Sequence, residues 1–192
     1  DAVGAGACVH VLAIDQPLIV ANFSGRRPVE GVVSHIMGRY KSAVQPANRN
    51  KVTMFGDQAP IWNFLAGLES LKFTHYHHAE ERTIARGRFF FEVYPALGNL
   101  GLFHLFYERG MVPRYNPQRR TFKLSDWQLL CDEAMRFLSL RNVQCSWLAT
   151  ARNSPKPRKQ EQDKLDSVIC LCHALAWAGG ERCVVVGDFH TG

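Results

Sequence analysis

No run of apolar residues in this chain approaches the length that crosses a bilayer, so no membrane-spanning helix and no membrane partner are expected. The first residues lack the charged region, apolar stretch and cleavage site of a secreted precursor, and nothing in them is expected to direct export. The six cysteines include no C-x-x-C pair, and most lie in apolar segments where a free thiol acts as a small hydrophobe. A reducing, cytoplasmic setting is the expectation. A nucleotide-binding loop is also missing, because Gly4-Ala-Gly6 has neither the lysine nor the following helix that such a loop needs. A serine nucleophile elbow and internal repeats are absent too.

What is present fits one globular domain spanning residues 1–192. Hydrophobic residues make up 46% and charged residues 21%, near the average for a folded chain. The net charge of +6 leans toward an anionic partner, since clustered Lys and Arg release counterions when they meet phosphate. A solvated basic surface that aids solubility accounts for the same charge.

Residues 8–14 form an apolar run rich in β-branched side chains and closed by Asp15-Gln-Pro17, which predicts a buried strand with Asp15 at its tip. Pro28 opens a helix to about Tyr40 with Val29, Val32, Val33, Ile36 and Met37 as its apolar stripe. Residues 41–60 read as a long loop, and Pro60 opens a second helical pattern. Arg88 to Glu92 is an aromatic strand closed by Pro95, followed by a helix from Ala96 to about Arg109 that stops at Gly110. Ser125-x-x-Gln128 is a capping box for a helix to about Leu140. Residues 151–162 read as a basic, proline-containing loop before a helix from about Glu161 to Trp177, stopped by Gly179 and Gly180. A last strand is expected over Arg182–Gly187, ending at Asp188. The alternation predicts an α/β sheet with helices on both faces.

Two acids lie near the ends of separate strands, Asp15 and Glu92, at the edge where open α/β sheets bind ligands. Asp163-x-x-Asp166 adds two more, and a spacing of three puts both on one helix face beside the apolar stripe of Leu165, Val168, Ile169, Cys172 and Leu175, so both are expected to border the core. Converging carboxylates raise one another's pKa unless a cation neutralises them, and oxygen-only ligands suit Mg²⁺ or Mn²⁺. Taken singly, acids early in a helix complement its dipole, and an Asp near a proline starts a turn.

Other groups carry weaker signals. His75, His77 and His78 with Glu80 and Glu81 could ligate a transition metal, line a groove or sit on an exposed loop. His173 lies on the same helix as Asp166, where a core or surface histidine is the simpler reading. Arg26 and Arg27 follow Asp15 closely and are candidate phosphate contacts. Arg114, Arg119, Arg120 and Lys123, interleaved with Tyr115 and Phe122, form a second basic group that is either a nucleic-acid contact or a solvated loop.

Five segments together resemble a known family. They are Ala13-Ile-Asp-Gln-Pro-Leu18, Asn22-x-x-Gly25-Arg-Arg-Pro-x-Glu30, Phe91-Glu-Val-Tyr-Pro-Ala96, Asp163-x-x-Asp166 with Ala174-Leu-Ala-Trp177, and Val184-Val-Val-Gly-Asp188. In this order they are similar to the domain of unknown function 429, described as predicted RNase H-like nucleases. The resemblance implies a three-layer RNase H-like sheet, with Asp15, Glu92, Asp163 and Asp166 as catalytic and Mg²⁺- or Mn²⁺-binding acids. It implies a metal-activated water attacking a phosphodiester of nucleic acid, with Arg26 and Arg27 on the substrate. Such domains begin with a strand and hairpin that supply a central metal-binding acid, and no matching strand is found here. The chain is therefore expected to be a fragment of a longer protein. The alternative is a non-catalytic nucleic-acid-binding or scaffold protein with an incomplete acidic site.

Overall fold

The computed structural model describes residues 9–76, 87–187 and 190–191. Three short strands, β1 (Val11–Ile14), β2 (Phe73–His75) and β3 (Arg88–Glu92), form a parallel sheet in the order β1-β3-β2. Val11 stands opposite Phe89, Ile14 opposite Glu92 and, on the other edge of β3, Phe73 opposite Arg88. Helices surround the sheet: α1 (Pro28–Arg39), α2 (Val52–Phe55), α3 (Pro60–Ser70), α4 (Pro95–Leu102), α5 (His104–Glu108), α6 (Leu124–Ser139), α7 (Ser146–Arg152) and α8 (Lys159–Ala178). None is long and apolar enough to cross a membrane among the described residues.

Side chains of a strand alternate between faces, and β3 shows what covers each. The rings of Phe89 and Phe91 lie 5.5 and 5.8 Å from that of Trp177, so α8 covers one face. Phe90 packs on the other face with Phe73 and with Ile61 and Leu68 of α3. Burial on both sides explains why β3 carries three consecutive phenylalanines instead of alternating with polar residues. A second core joins α1, α4, α5, α6, α7 and α8 around Phe103, Phe106, Trp127, Leu148 and Leu165. Trp127 Nε1–H donates to the Ala151 carbonyl at 2.8 Å, tying α6 to α7.

The mixed α/β class and most elements agree with the sequence pattern; β2 has no counterpart in it, α6 starts at Leu124 with Lys123 and not Ser125 as its cap, and four further segments differ. The helix expected over 96–109 is two helices, broken where Phe103 turns extended (φ −120°, ψ 95°) and drops its ring fully into the core. The expected loop 41–60 contains α2, whose Phe55 is buried. The loop expected over 151–162 shrinks to 153–158, because α7 precedes it and α8 begins at Lys159. The last strand does not form: residues 182–187 pair with none of the three described strands, and Val184 stands 88% exposed. Three valines favour extended backbone, yet strand propensity is expressed only where a partner edge and a packing face exist. Asp188 lies outside the described residues.

The join between α1 and β3 is electrostatic. Arg27 is buried, and its Nε donates to Glu30 at 2.8 Å, while Nη1 and Nη2 donate to the two oxygens of Glu92 at 2.9 and 2.6 Å. Nη1 also reaches the Ile19 carbonyl at 3.1 Å. Glu30, itself buried, accepts the backbone N–H groups of Arg27 and Ala47 at 3.0 and 2.9 Å, and Glu92 accepts that of Leu18 at 3.1 Å. One guanidinium thus ties together the chain after β1, the start of α1 and the end of β3. Truncation by Arg27→Leu leaves two carboxylates without their cation and is expected to cost about 3–5 kcal/mol in urea unfolding. A loss below about 1 kcal/mol would show that the packing around it, and not the ion pairs, sets this junction.

Candidate active site

Asp15 is the first residue beyond β1, and α8 packs along that strand, bringing the Asp163/Asp166 turn toward its C-terminal end. The two helix acids meet different surroundings. Asp166 is buried; Tyr115 Oη–H donates to its Oδ1 at 2.6 Å and Gln162 Nε2–H to its Oδ2 at 2.8 Å. Asp163 is exposed and pairs with the Lys159 ammonium one turn earlier. A separation of three residues turns the second acid some 60° around the helix from the first, enough to leave one beside Leu165 and Ile169 and the other in water.

Asp15 sits among these charges. Its carboxyl is pushed from an ordinary 3.8 up to about 7, first by lost solvation among surrounding protein and then by Asp166. Asp163 and Glu92 add to the rise, and Lys159 opposes it. The residue keeps an exposed side, so water screens part of this effect. Burial also raises the Asp166 carboxyl, against the pull of the Tyr115 and Gln162 hydrogen bonds and of Lys159. Burial and Asp166 hold the Tyr115 phenol well above its ordinary range, so it stays a donor. The Cys170 thiol, pushed up to about 12 by burial and by Asp15 and Asp166, is neutral. Tyr94 completes the surroundings: its hydroxyl donates to the Ala43 carbonyl at 3.1 Å, and burial together with Asp15 raises its phenol.

Glu92 stands apart from this group. Ile14 is its ladder partner, and partners share a face of the sheet, the one lined by α3; Asp15 follows one residue out of phase. Glu92 spends its oxygens on Arg27 and the Leu18 N–H. Of the four acids singled out in the sequence, Asp15, Asp163 and Asp166 therefore share one neighbourhood, and Glu92 belongs mainly to the Arg27 network. Among the described residues no group of three or more His, Cys, Asp or Glu is arranged to hold a metal ion.

The remaining candidates fall as follows. Arg27 is enclosed by Glu30 and Glu92, while Arg26 is exposed. His75 stacks on Phe90 with ring centroids 4.9 Å apart; His77, His78, Glu80 and Glu81 lie outside the described residues. His173 packs against Gly98, where even a Cβ would come within 1.9 Å of its Nε2, and burial alone pushes its pKa down to about 4. No acid contributes to that shift, which separates His173 from the Asp15 site. Tyr115, Gln162 and Lys159 carry roles that the sequence did not announce. Gln162 and Lys159 could be placed from helical spacing, each four residues before an aspartate. Nothing in the sequence marks that the Tyr115 hydroxyl reaches an acid 51 positions away.

A family model described as a protein of unknown function, DUF429, matches residues 1–191. No curated protein and no solved structure matches the chain.

The raised acids make stability depend on pH. Between about pH 4 and pH 7 the folded state keeps the Asp15 proton that the unfolded chain has released, so unfolding becomes easier as pH rises through that window. Below it both states are protonated, and above it the full penalty is present. Buried His173, held down to about 4, acts in the opposite sense below its ordinary 6.5 in both proteins, so the urea midpoint of the native chain is expected to fall relative to that of Asp15→Asn between about pH 4 and about pH 8. Identical slopes for the two would mean that Asp15 titrates like a free carboxylate.

Proposed function

We propose, from the premise that this chain belongs to the DUF429 family of proteins of unknown function, that it is a metal-dependent phosphodiesterase acting on nucleic acid, with an RNase H-like fold and a site built on Asp15 and Asp166. The observation that carries this reading is the gathering of Asp15 with Asp166 and Asp163 at a strand end, with Lys159 as the opposing charge. The parallel β1–β3 pair covered on both faces, with α8 bringing an aspartate to the C-terminal end of β1, supports the fold assignment.

The donors fit a hard cation. They are oxygens only, and Mg²⁺ commonly takes one or two carboxylates and completes its shell with water and substrate phosphate. Asp15 and Asp166 would hold it, with Asp163 at the rim. When bound, Mg²⁺ or Mn²⁺ would supply the positive charge these carboxylates lack and make a nearby water acidic enough to attack phosphorus.

The chain's own residues do the rest. Tyr115 and Gln162 donate to opposite oxygens of Asp166 and keep that carboxylate from turning away. Asp15 carries the second carboxylate from the end of β1, and the repulsion from Asp166 that helps raise its carboxyl is what a bound cation would relieve. The net charge of +6 favours a polyanionic substrate. A second reading, a nucleic-acid-binding protein without catalysis, is favoured by the absence of a three-donor group among the described residues and by the commitment of Glu92 to Arg27.

Incubation with Mn²⁺ and single-stranded DNA, duplex DNA, RNA and hybrid separates the two. Cleavage of at least one substrate is expected, falling about 10²–10⁴-fold in Asp15→Asn and in Asp166→Asn. Equal cleavage by Asp15→Asn would remove that residue from the mechanism, and no cleavage of any substrate would favour the binding reading.

A further inference from the structure

The chain between α5 and α6 is built as a closed, rigid loop. Buried Asp126 accepts the Arg114 N–H at 2.7 Å and the Arg109 guanidinium at 2.8 Å, and the Lys123 N–H returns to the Arg114 carbonyl at 2.8 Å. Residues 114–123 therefore start and finish at one point on α6. Inside the loop the Asn116 side chain accepts the Gln118 N–H at 2.9 Å, its carbonyl accepts that of Arg119 at 3.1 Å, and the Arg119 carbonyl accepts that of Phe122 at 2.9 Å. The loop is also fixed to the acidic site, because buried Tyr115 is the residue whose hydroxyl holds Asp166.

This anchoring places positive charge beside the acids. Arg119 and Arg120 are exposed on the outer turn, and neither is in an ion pair among the described residues. The Arg119 charge is felt at Tyr94, the same ring that feels Asp15 and Asp166. Arg27, by contrast, has its guanidinium taken up by Glu30, Glu92 and the Ile19 carbonyl.

We propose that loop 114–123 is the anion-holding wall of the Asp15–Asp166 site and that Arg119 receives a phosphate oxygen of the polynucleotide. This rests on the hydrolase reading for the identity of the acidic site, and it adds the positioning residue that the site lacks. Carboxylates repel a phosphodiester, so a substrate approaching them needs a cation fixed at their edge. An arginine offers two parallel donors in a plane that matches phosphate. On a loop already ordered by its own hydrogen bonds, it loses little freedom when it binds.

The test is binding of a short fluorescent single-stranded DNA and of its RNA counterpart by the full chain in EDTA, read by anisotropy across a salt series. Arg119→Ala is expected to weaken binding about tenfold and to lower the salt slope by about one, with partial recovery in Arg119→Lys. Lys72→Gln, at the opposite end of the sheet before β2, is expected to bind as the native chain does. The DNA and RNA arms show which backbone is preferred. Unchanged affinity in Arg119→Ala, an equal loss in Lys72→Gln, or no binding of either probe by the native chain would overturn the proposal. Mn²⁺-supported cleavage measured in parallel keeps the two readings apart. Arg119-dependent binding without cleavage supports the loop and removes the hydrolase, whereas cleavage with full affinity in Arg119→Ala removes the loop alone.

Discussion

Arg27 lies buried between Glu30 and Glu92, and the rest of the acidic chemistry is arranged around that contact. The guanidinium gives Glu92 two charge-assisted hydrogen bonds, fixes the start of α1 against the end of β3, and holds the chain leaving β1 through the Ile19 carbonyl. Asp15 is four residues before that carbonyl, in the same stretch of chain that leaves β1. With Glu92 compensated, the acids that remain short of positive charge are those on the α8 side of the sheet, Asp15 and Asp166.

That asymmetry gives the two faces of the strand ends different characters. On the α3 side an arginine and two glutamates satisfy one another and make a structural joint. On the α8 side, carboxylates share a neighbourhood with one lysine, and Tyr115 and Gln162 hold Asp166 in place without neutralising it. Tyr115 also belongs to the basic loop before α6, so the side chain that orients this acid ties that loop to it. The site is in this sense assembled by α8 and the 114–123 loop upon a short sheet.

Much of this was legible in the sequence, and the failures have physical causes. The strand carrying Asp15, the helix stripes of α6 and α8, and the proline stops at Pro17 and Pro95 follow from local pattern, which depends on few neighbours. That Asp15 ends a strand and Asp166 lies on a helix was legible from periodicity; that the two become neighbours was not, because it depends on how α8 packs on β1. The place of Glu92 was not, since it depends on a one-residue difference in register between β1 and β3 that no single strand records. Arg27 looked like a phosphate contact because its sequence position beside Asp15 says nothing about burial. The valine run at 184–186 shows the reverse limit: local preference for a strand, with no described partner edge to realise it. The long-range hydrogen bond from Tyr115 had no local signature at all.

The proposed cation-binding pair is Asp15 with Asp166, without Glu92. It is tested most directly by following the side-chain carboxyl carbons by NMR as Mg²⁺ is added to the isotopically labelled chain. The account predicts that the Asp15 and Asp166 signals move together and saturate at the same Mg²⁺ concentration, while that of Glu92 stays in place. A response from Glu92 in step with Asp15, or no response from either aspartate, would contradict it.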